Sequence, residues 1–185
     1  MQNTGRLFFV ILLLMGIAGC APQPPKLTVP TVQFKIVGML TVVSAGKPTQ
    51  RLRLVWQRQE GAHDVVEIKG PLGGTRARIE QDDGGATLRA DGKVYEAING
   101  EALAQRFLKV ELPVRAFGYW LVGDAAPDAP AHIDYGDDGR MQSIVQHDWE
   151  VFYDVRDSQG RLVSLRARTN GIAVTLKINK WLALQ

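Results

Sequence analysis

Ile172-Ala173-Val174-Thr175-Leu176-Lys177-Ile178-Asn179 alternates without a break. Ile172, Val174, Leu176 and Ile178 share one side, and Ala173, Thr175, Lys177 and Asn179 share the other. A period of two belongs to a strand with one face buried. The same pattern recurs upstream. Trp149 to Arg156 groups Trp149, Val151, Tyr153 and Val155; Arg51 to Gln57 sets Leu52, Leu54 and Trp56 against Arg51, Arg53 and Gln57. Phe34 to Ser44 groups Phe34, Ile36, Leu40 and Val42, with Gly38 as a bend or bulge. Met141 to Gln146, Arg161 to Arg168, Val65 to Lys69 and Thr75 to Gln81 are further strand-like runs. Turn signals such as Asp82-Asp83-Gly84-Gly85, Asp91-Gly92 and Ser158-Gln159-Gly160 separate them. With the weaker runs counted, about eleven short strands are expected, forming an antiparallel sheet that curls toward a barrel.

Helix signals occur only in the middle of the chain. Asn99 caps a short helix in which Leu103 and Phe107 share a face. Pro113 opens a second, with Val114, Phe117, Trp120 and Leu121 as its apolar stripe and Gly123 at its end. Helices this apolar must lie on the sheet, either plugging one end of a barrel or acting as a lid. Residues 33–185 read as a single mainly-β domain without linker or repeat.

The N-terminus sets the compartment. Leu7 to Ala18 is apolar but shorter than the ~20 residues that span a bilayer, and fits the core of a secretory signal over 1–19. Ile17-Ala18-Gly19-Cys20 resembles the lipobox of bacterial lipoproteins, which implies a lipidated Cys20. Several acyl chains on Cys20 would anchor the chain effectively permanently, at ~0.8 kcal/mol per buried methylene. Cys20 is the only cysteine, so no disulfide, thiol nucleophile or cysteine metal site remains. Ala21 stands where inner-membrane retention in enteric bacteria uses aspartate, and by that resemblance the protein is expected on the periplasmic face of the outer membrane. Residues 20–32, with Pro22, Pro24, Pro25 and Pro30, read as a semi-rigid tether.

Catalytic patterns fail. His63, His132 and His147 lie far apart, with no spacing that suits a metal. Asp134 to Gly139 has glycine at the third position of a calcium loop, and Val145 stands where its last ligand, a glutamate, belongs. No G-x-S-x-G or phosphate loop occurs, and the carboxylates fall mainly in turns. No catalytic residue, metal or cofactor is expected. The formal charge is +3 with both signs mixed along the chain, which argues against nucleic acid. Arg51, Arg53, Arg76 and Arg78 read as a solvated outer face, with anionic headgroups or an acidic protein rim as the other options. The four tryptophans, Trp56, Trp120, Trp149 and Trp181, fit core packing, yet a barrel of this size is either filled or holds a ligand.

Gly70-Pro71-Leu72-Gly73-Gly74 is the oddity. Pro71 and Gly73 suit the second and fourth positions of a type I turn, which leaves Leu72 at the tip. That leucine either folds back on the core or meets something apolar outside the protein.

The ordered set Leu54-Val55-Trp56-Gln57, Gly70-Pro71-Leu72-Gly73, Leu112-Pro113 with Tyr119-Trp120-Leu121-Val122-Gly123, Asp148-Trp149-Glu150-Val151 with Tyr153, and Leu176-Lys177-Ile178-Asn179-Lys180-Trp181 resembles the LolB family of outer-membrane lipoproteins. The resemblance implies an incomplete antiparallel β-barrel with a helical lid over an apolar cavity. That cavity would accept the acyl chains of lipoproteins from a periplasmic LolA-type carrier, and the protein, a monomer, would deliver them to the outer membrane. On the strands, Leu52, Leu54, Trp56, Trp149, Val151, Leu176 and Trp181 are the expected cavity residues. On the helices they are Leu103, Phe107, Phe117, Trp120 and Leu121. Pro71, Leu72 and Gly73 would form the membrane-insertion loop. Enteric members carry a helix before the first strand, and here only the short tether is read. Two alternatives stay open: a lipid-anchored assembly module with a solid core, and a hydrolase of lipid or envelope polymer.

Overall fold

The alternating stretch that ends the chain lies near the centre of a single antiparallel sheet. A computed structural model describes residues 32–183; the signal segment, Cys20 and the tether lie outside them. Thr31–Gln185 forms one compact unit, within which every described strand pairs only with its fellows.

The strands are β1 (Phe34–Ser44), β2 (Gln50–Arg58), β3 (Asp64–Lys69), β4 (Thr75–Asp82), β5 (Gly85–Ala90) and β6 (Lys93–Ala97). After helices α1 (Gly100–Leu108) and α2 (Val114–Trp120) come β7 (His132–Tyr135), β8 (Met141–Gln146), β9 (Trp149–Arg156), β10 (Leu162–Thr169) and β11 (Ile172–Leu182). The eleven strands are ordered β6-β5-β4-β3-β2-β1-β11-β10-β9-β8-β7, so the sheet curls without closing. The expected register break at Gly38 is present, between Val37 and Gly38 against β11.

The helices form where their signals stand. The Asn99 side chain accepts from the Ala102 N–H at 2.9 Å, and α1 buries Leu103 and Ala104. Its other end is held by the β1–β2 hairpin: Gln50 Nε2 donates to the Leu108 carbonyl at 3.0 Å and Lys47 Nζ to that of Lys109. Helix α2 follows Pro113 and ends in a turn closed by Gly123 N–H to the Trp120 carbonyl.

Both faces of the alternation are accounted for. Ile36, Val42, Leu54, Val151, Leu165, Val174 and Leu176 are almost fully buried on the inner face. The outer face carries cross-strand ion pairs, among them Arg166 with Asp154 and Arg168 with Glu150.

Candidate functional site

The register sets side chains in rows across β2 to β5. One row runs Leu54, Ile68, Ala77, Ala90, and the next runs Trp56, Val66, Ile79, Leu88. Helix α1 lays Leu103, Ala104, Phe107 and Leu108 over these rows, and α2 adds Val114 and Phe117. Between them is a cavity of about 150 Å³ walled by apolar side chains. Apolar walls leave no reason for water to order inside, so the space favours an apolar guest.

The third row is polar and closes the bottom. It runs Arg58, Asp64, Gln81, and the three are buried. Asp64 accepts from Arg58 Nε at 2.8 Å and from Trp56 Nε1 at 2.9 Å, so the ring that floors the cavity is fixed by the ion pair beneath it. Arg58 Nη2 also donates to the Arg115 carbonyl of α2 at 3.2 Å, and the guanidinium lies 4.5 Å from the Tyr119 ring. A Cβ on Gly118 would stand 1.8 Å from Nη2, so only glycine lets the helix come this close. Gln81 Oε1 accepts from the Gly100 N–H at 2.8 Å and so fastens the start of α1. One polar row thus ties both helices to the sheet.

At the other end of the rows stands the β3–β4 hairpin. Gly73 N–H donates to the Gly70 carbonyl at 3.0 Å and Gly70 N–H to that of Gly74 at 2.8 Å. With Gly73 at φ +85°, this is a type I turn followed by a bulge. Leu72 is 101% exposed: the side chain points into solvent and does not fold back on the core. The expected tip is therefore a rigid apolar point, held at the cavity's open end by two short strands.

The expected cavity residues divide. Leu52, Leu54, Trp56, Leu103, Phe107 and Phe117 line the cavity. Trp120, Leu121, Trp149, Val151, Leu176 and Trp181 do not; they pack in the same core beside it, where the Phe117 ring meets Trp120 at 5.1 Å and Trp149 at 5.9 Å between centroids, and Trp149 also lines a separate surface cleft. There Gln146 is the organiser: its Oε1 accepts from Trp120 Nε1 and the Ala126 N–H, each at 2.9 Å, and its Nε2 donates to the Ala126 and Ala129 carbonyls. Trp181 lies half-buried at the rim and donates to the Leu162 carbonyl at 2.7 Å. The row residues Ile68, Ala77, Leu88 and Ala90 belong to the site without having been singled out by sequence; only the register brings them together. Arg58 and Gln81 carried a legible signal, since each continues the inward phase of its strand with a polar residue. Among the described residues no group of three or more metal-ligating side chains gathers, and His63, His132 and His147 sit in separate local contacts.

A family profile described as outer membrane lipoprotein LolB matches residues 32–181. The chain belongs to the LolB family. Proteins named outer-membrane lipoprotein LolB are similar along nearly the whole chain: 28% identity in Chromobacterium violaceum, covering 95% of this chain and 98% of that one. The Thiobacillus denitrificans relative is 29% identical over 95% and 97%, and that of Bordetella petrii 33% identical over 83% and 80%. Among solved structures, a LolA superfamily protein from Nitrosomonas europaea superposes with TM-score 0.56 at 10% identity, covering 85% of this chain and 88% of that one. This LolB-family chain therefore shares its fold with LolA-superfamily proteins, and its family places it in lipoprotein trafficking.

Proposed function

We propose that this protein is an outer-membrane lipoprotein, anchored through Cys20, that receives acylated lipoproteins from a LolA-type periplasmic carrier and releases them into the membrane. The observation that carries the reading is the apolar cavity opening beside a fully exposed leucine. Acyl chains stay out of water only if their methylenes are covered, each contributing ~0.8 kcal/mol. At about 150 Å³ the space is below the ~300–1,000 Å³ of pockets that enclose drug-sized ligands, so entry requires α1 to move away from the sheet.

Leu52, Leu54, Trp56, Leu103, Phe107 and Phe117 supply apolar contact area. Trp120 and Leu121, at the end of α2, pack with Trp149, Val151, Leu176 and Trp181 into the core that supports the cavity. No bond is made or broken in this task. Transfer runs downhill because each receiver covers more apolar surface than the donor, and the bilayer covers most. Pro71, Leu72 and Gly73 present one apolar side chain to that bilayer on a stiff turn. A ligand-free assembly module would give the cavity and the exposed leucine no role.

A fluorescent fatty-acid probe should bind residues 31–185 and be displaced by a triacylated peptide; no binding would remove the acceptor role. Leu72→Glu should leave probe binding and carrier-to-receptor transfer intact while abolishing delivery of the received lipoprotein to vesicles. Delivery at the normal rate by that variant would sink the insertion role of the tip.

A further inference from the structure

Three arginines without an ion-pair partner among the described residues stand near the root of the Leu72 hairpin. A surface groove of about 560 Å³ runs past Pro71 and is lined by Arg51, Arg53, Lys69 and Arg76, with Asp91 as its one carboxylate. Lys69 is engaged, donating to Glu67 at 2.6 Å. Among the described residues, Arg51, Arg53 and Arg76 take part in no ion pair, and all three are exposed. Elsewhere the arginines of the outer face are matched: Arg78 with Glu80 and Glu67, Arg89 with Glu80, Arg166 with Asp154, Arg168 with Glu150. Described lysines without an ion pair occur on other strands, at Lys93, Lys177 and Lys180, but the groove gathers three such arginines at one place.

Its position supplies the second observation. Leu52, Ile68, Ala77 and Ala90 wall both this groove and the apolar cavity. One opening therefore presents an apolar interior, a cationic margin and, just beyond it, a leucine in solvent. Those are the layers of a phospholipid surface met in reverse: a leucine reaches the acyl region only after its root has passed the phosphates, and unpaired arginines at that depth find phosphate oxygens suited to their planar donors.

We propose that Arg51, Arg53 and Arg76 form a binding site for the phosphate of anionic phospholipid headgroups, which seats the cavity mouth on the bilayer while Leu72 inserts. The proposal rests on the membrane-delivery reading above. An acidic protein surface is the competing occupant. The groove favours lipid because the most exposed apolar side chain of the hairpin stands at its edge, where a second protein would have to bury it in a matching pocket.

Vesicle co-sedimentation of residues 31–185, a self-contained unit, tests this with phosphatidylcholine vesicles and with mixtures of phosphatidylcholine and phosphatidylglycerol. The wild-type unit should prefer the anionic vesicles, and salt should erase the preference. Neutralising R51Q, R53Q and R76Q should each cost about fivefold, and the triple variant on the order of 100-fold. Fatty-acid probe affinity and the unfolding midpoint should not change. R166Q with R168Q, which removes matched arginines far along the sheet, should keep the preference. An unchanged preference in the triple variant, or an equal loss in R166Q/R168Q, would overturn the site in favour of diffuse net charge. Loss of carrier binding by the triple variant with normal vesicle binding would assign the groove to a protein instead. If the wild-type unit takes up no fatty-acid probe but the triple variant still loses its vesicle preference, the acceptor reading fails and the headgroup site stands.

Discussion

The two flanks of this sheet carry the same alternation and end differently. From β2 to β5 the inward residues, joined by Leu40 and Val174 of the central strands, enclose a cavity; from β10 to β8 the row Ala167, Val151, Ile144 is at most 2% exposed and lines none of it. What differs is the cover. Helix α1 bridges its rows at both ends through side-chain caps and leaves space beneath. The other flank is stopped by Trp120 and the loop after it, drawn down by the four hydrogen bonds of Gln146. A hollow and a filled region can thus share one sheet because polar residues at the row ends decide how closely the cover approaches. Arg58 and Gln81 hold a lid; Gln146 holds a plug.

The largest test of that contrast is a matched pair of truncations. Leu165 and Leu54 are both buried, at 0% and 2% exposure, but only Leu54 faces the cavity. Leu165→Ala should cost about 4–5 kcal/mol in urea unfolding and Leu54→Ala about 2–3, because a side chain beside a void has fewer contacts to lose. Equal costs would mean that the flanks are packed alike. Next in size is filling the hollow. Ala104→Leu adds bulk from α1 into the cavity, and should weaken fatty-acid probe binding about tenfold while shifting unfolding stability by less than about 1 kcal/mol. Titration of the probe together with a melt separates the two outcomes.

The smallest effect lies on the outer face of the hollow flank. The hydrogen bond from Lys69, helped by Arg78, holds the Glu67 carboxyl below its ordinary range, and Arg78 does the same for Glu80. A carboxyl depressed in the folded state stabilises it above the unfolded value, and that contribution is lost as pH falls through the folded value. Arg78→Gln should therefore cost well under about 1 kcal/mol near neutrality, given the partial exposure of all the partners, and the difference should fade as acid protonates both carboxyls. A cost that persists in acid would point to packing by the arginine stem in place of charge.

Periodicity in the sequence sufficed for the strands, and local chemistry for the helices: Asn99 caps α1, Pro113 precedes α2, and Gly38 marks the register break where it was expected. The division into cavity and plug was not legible. Trp56 and Trp149 sit in equivalent alternating runs, and no local pattern tells which will face space and which will be covered. That outcome depends on contacts between residues far apart in sequence, such as Gln146 with Trp120 or Arg58 with the Arg115 carbonyl. Leu72 was legible as a tip; its exposure needed the hydrogen bonds that stiffen the turn.

The central seam of the sheet joins its first strand to its last, with Lys35 opposite Leu182 and Val42 opposite Val174. A chain secreted N-terminus first therefore exposes β1 with one unpaired edge until β11 has emerged. Until then the two flanks have no common member to join them, and a product cut short before Ile172 leaves Ile36 and Val42 uncovered. Exposed edges and uncovered apolar side chains of that kind favour aggregation. The last described strand is thus the one that couples the hollow flank to the filled one.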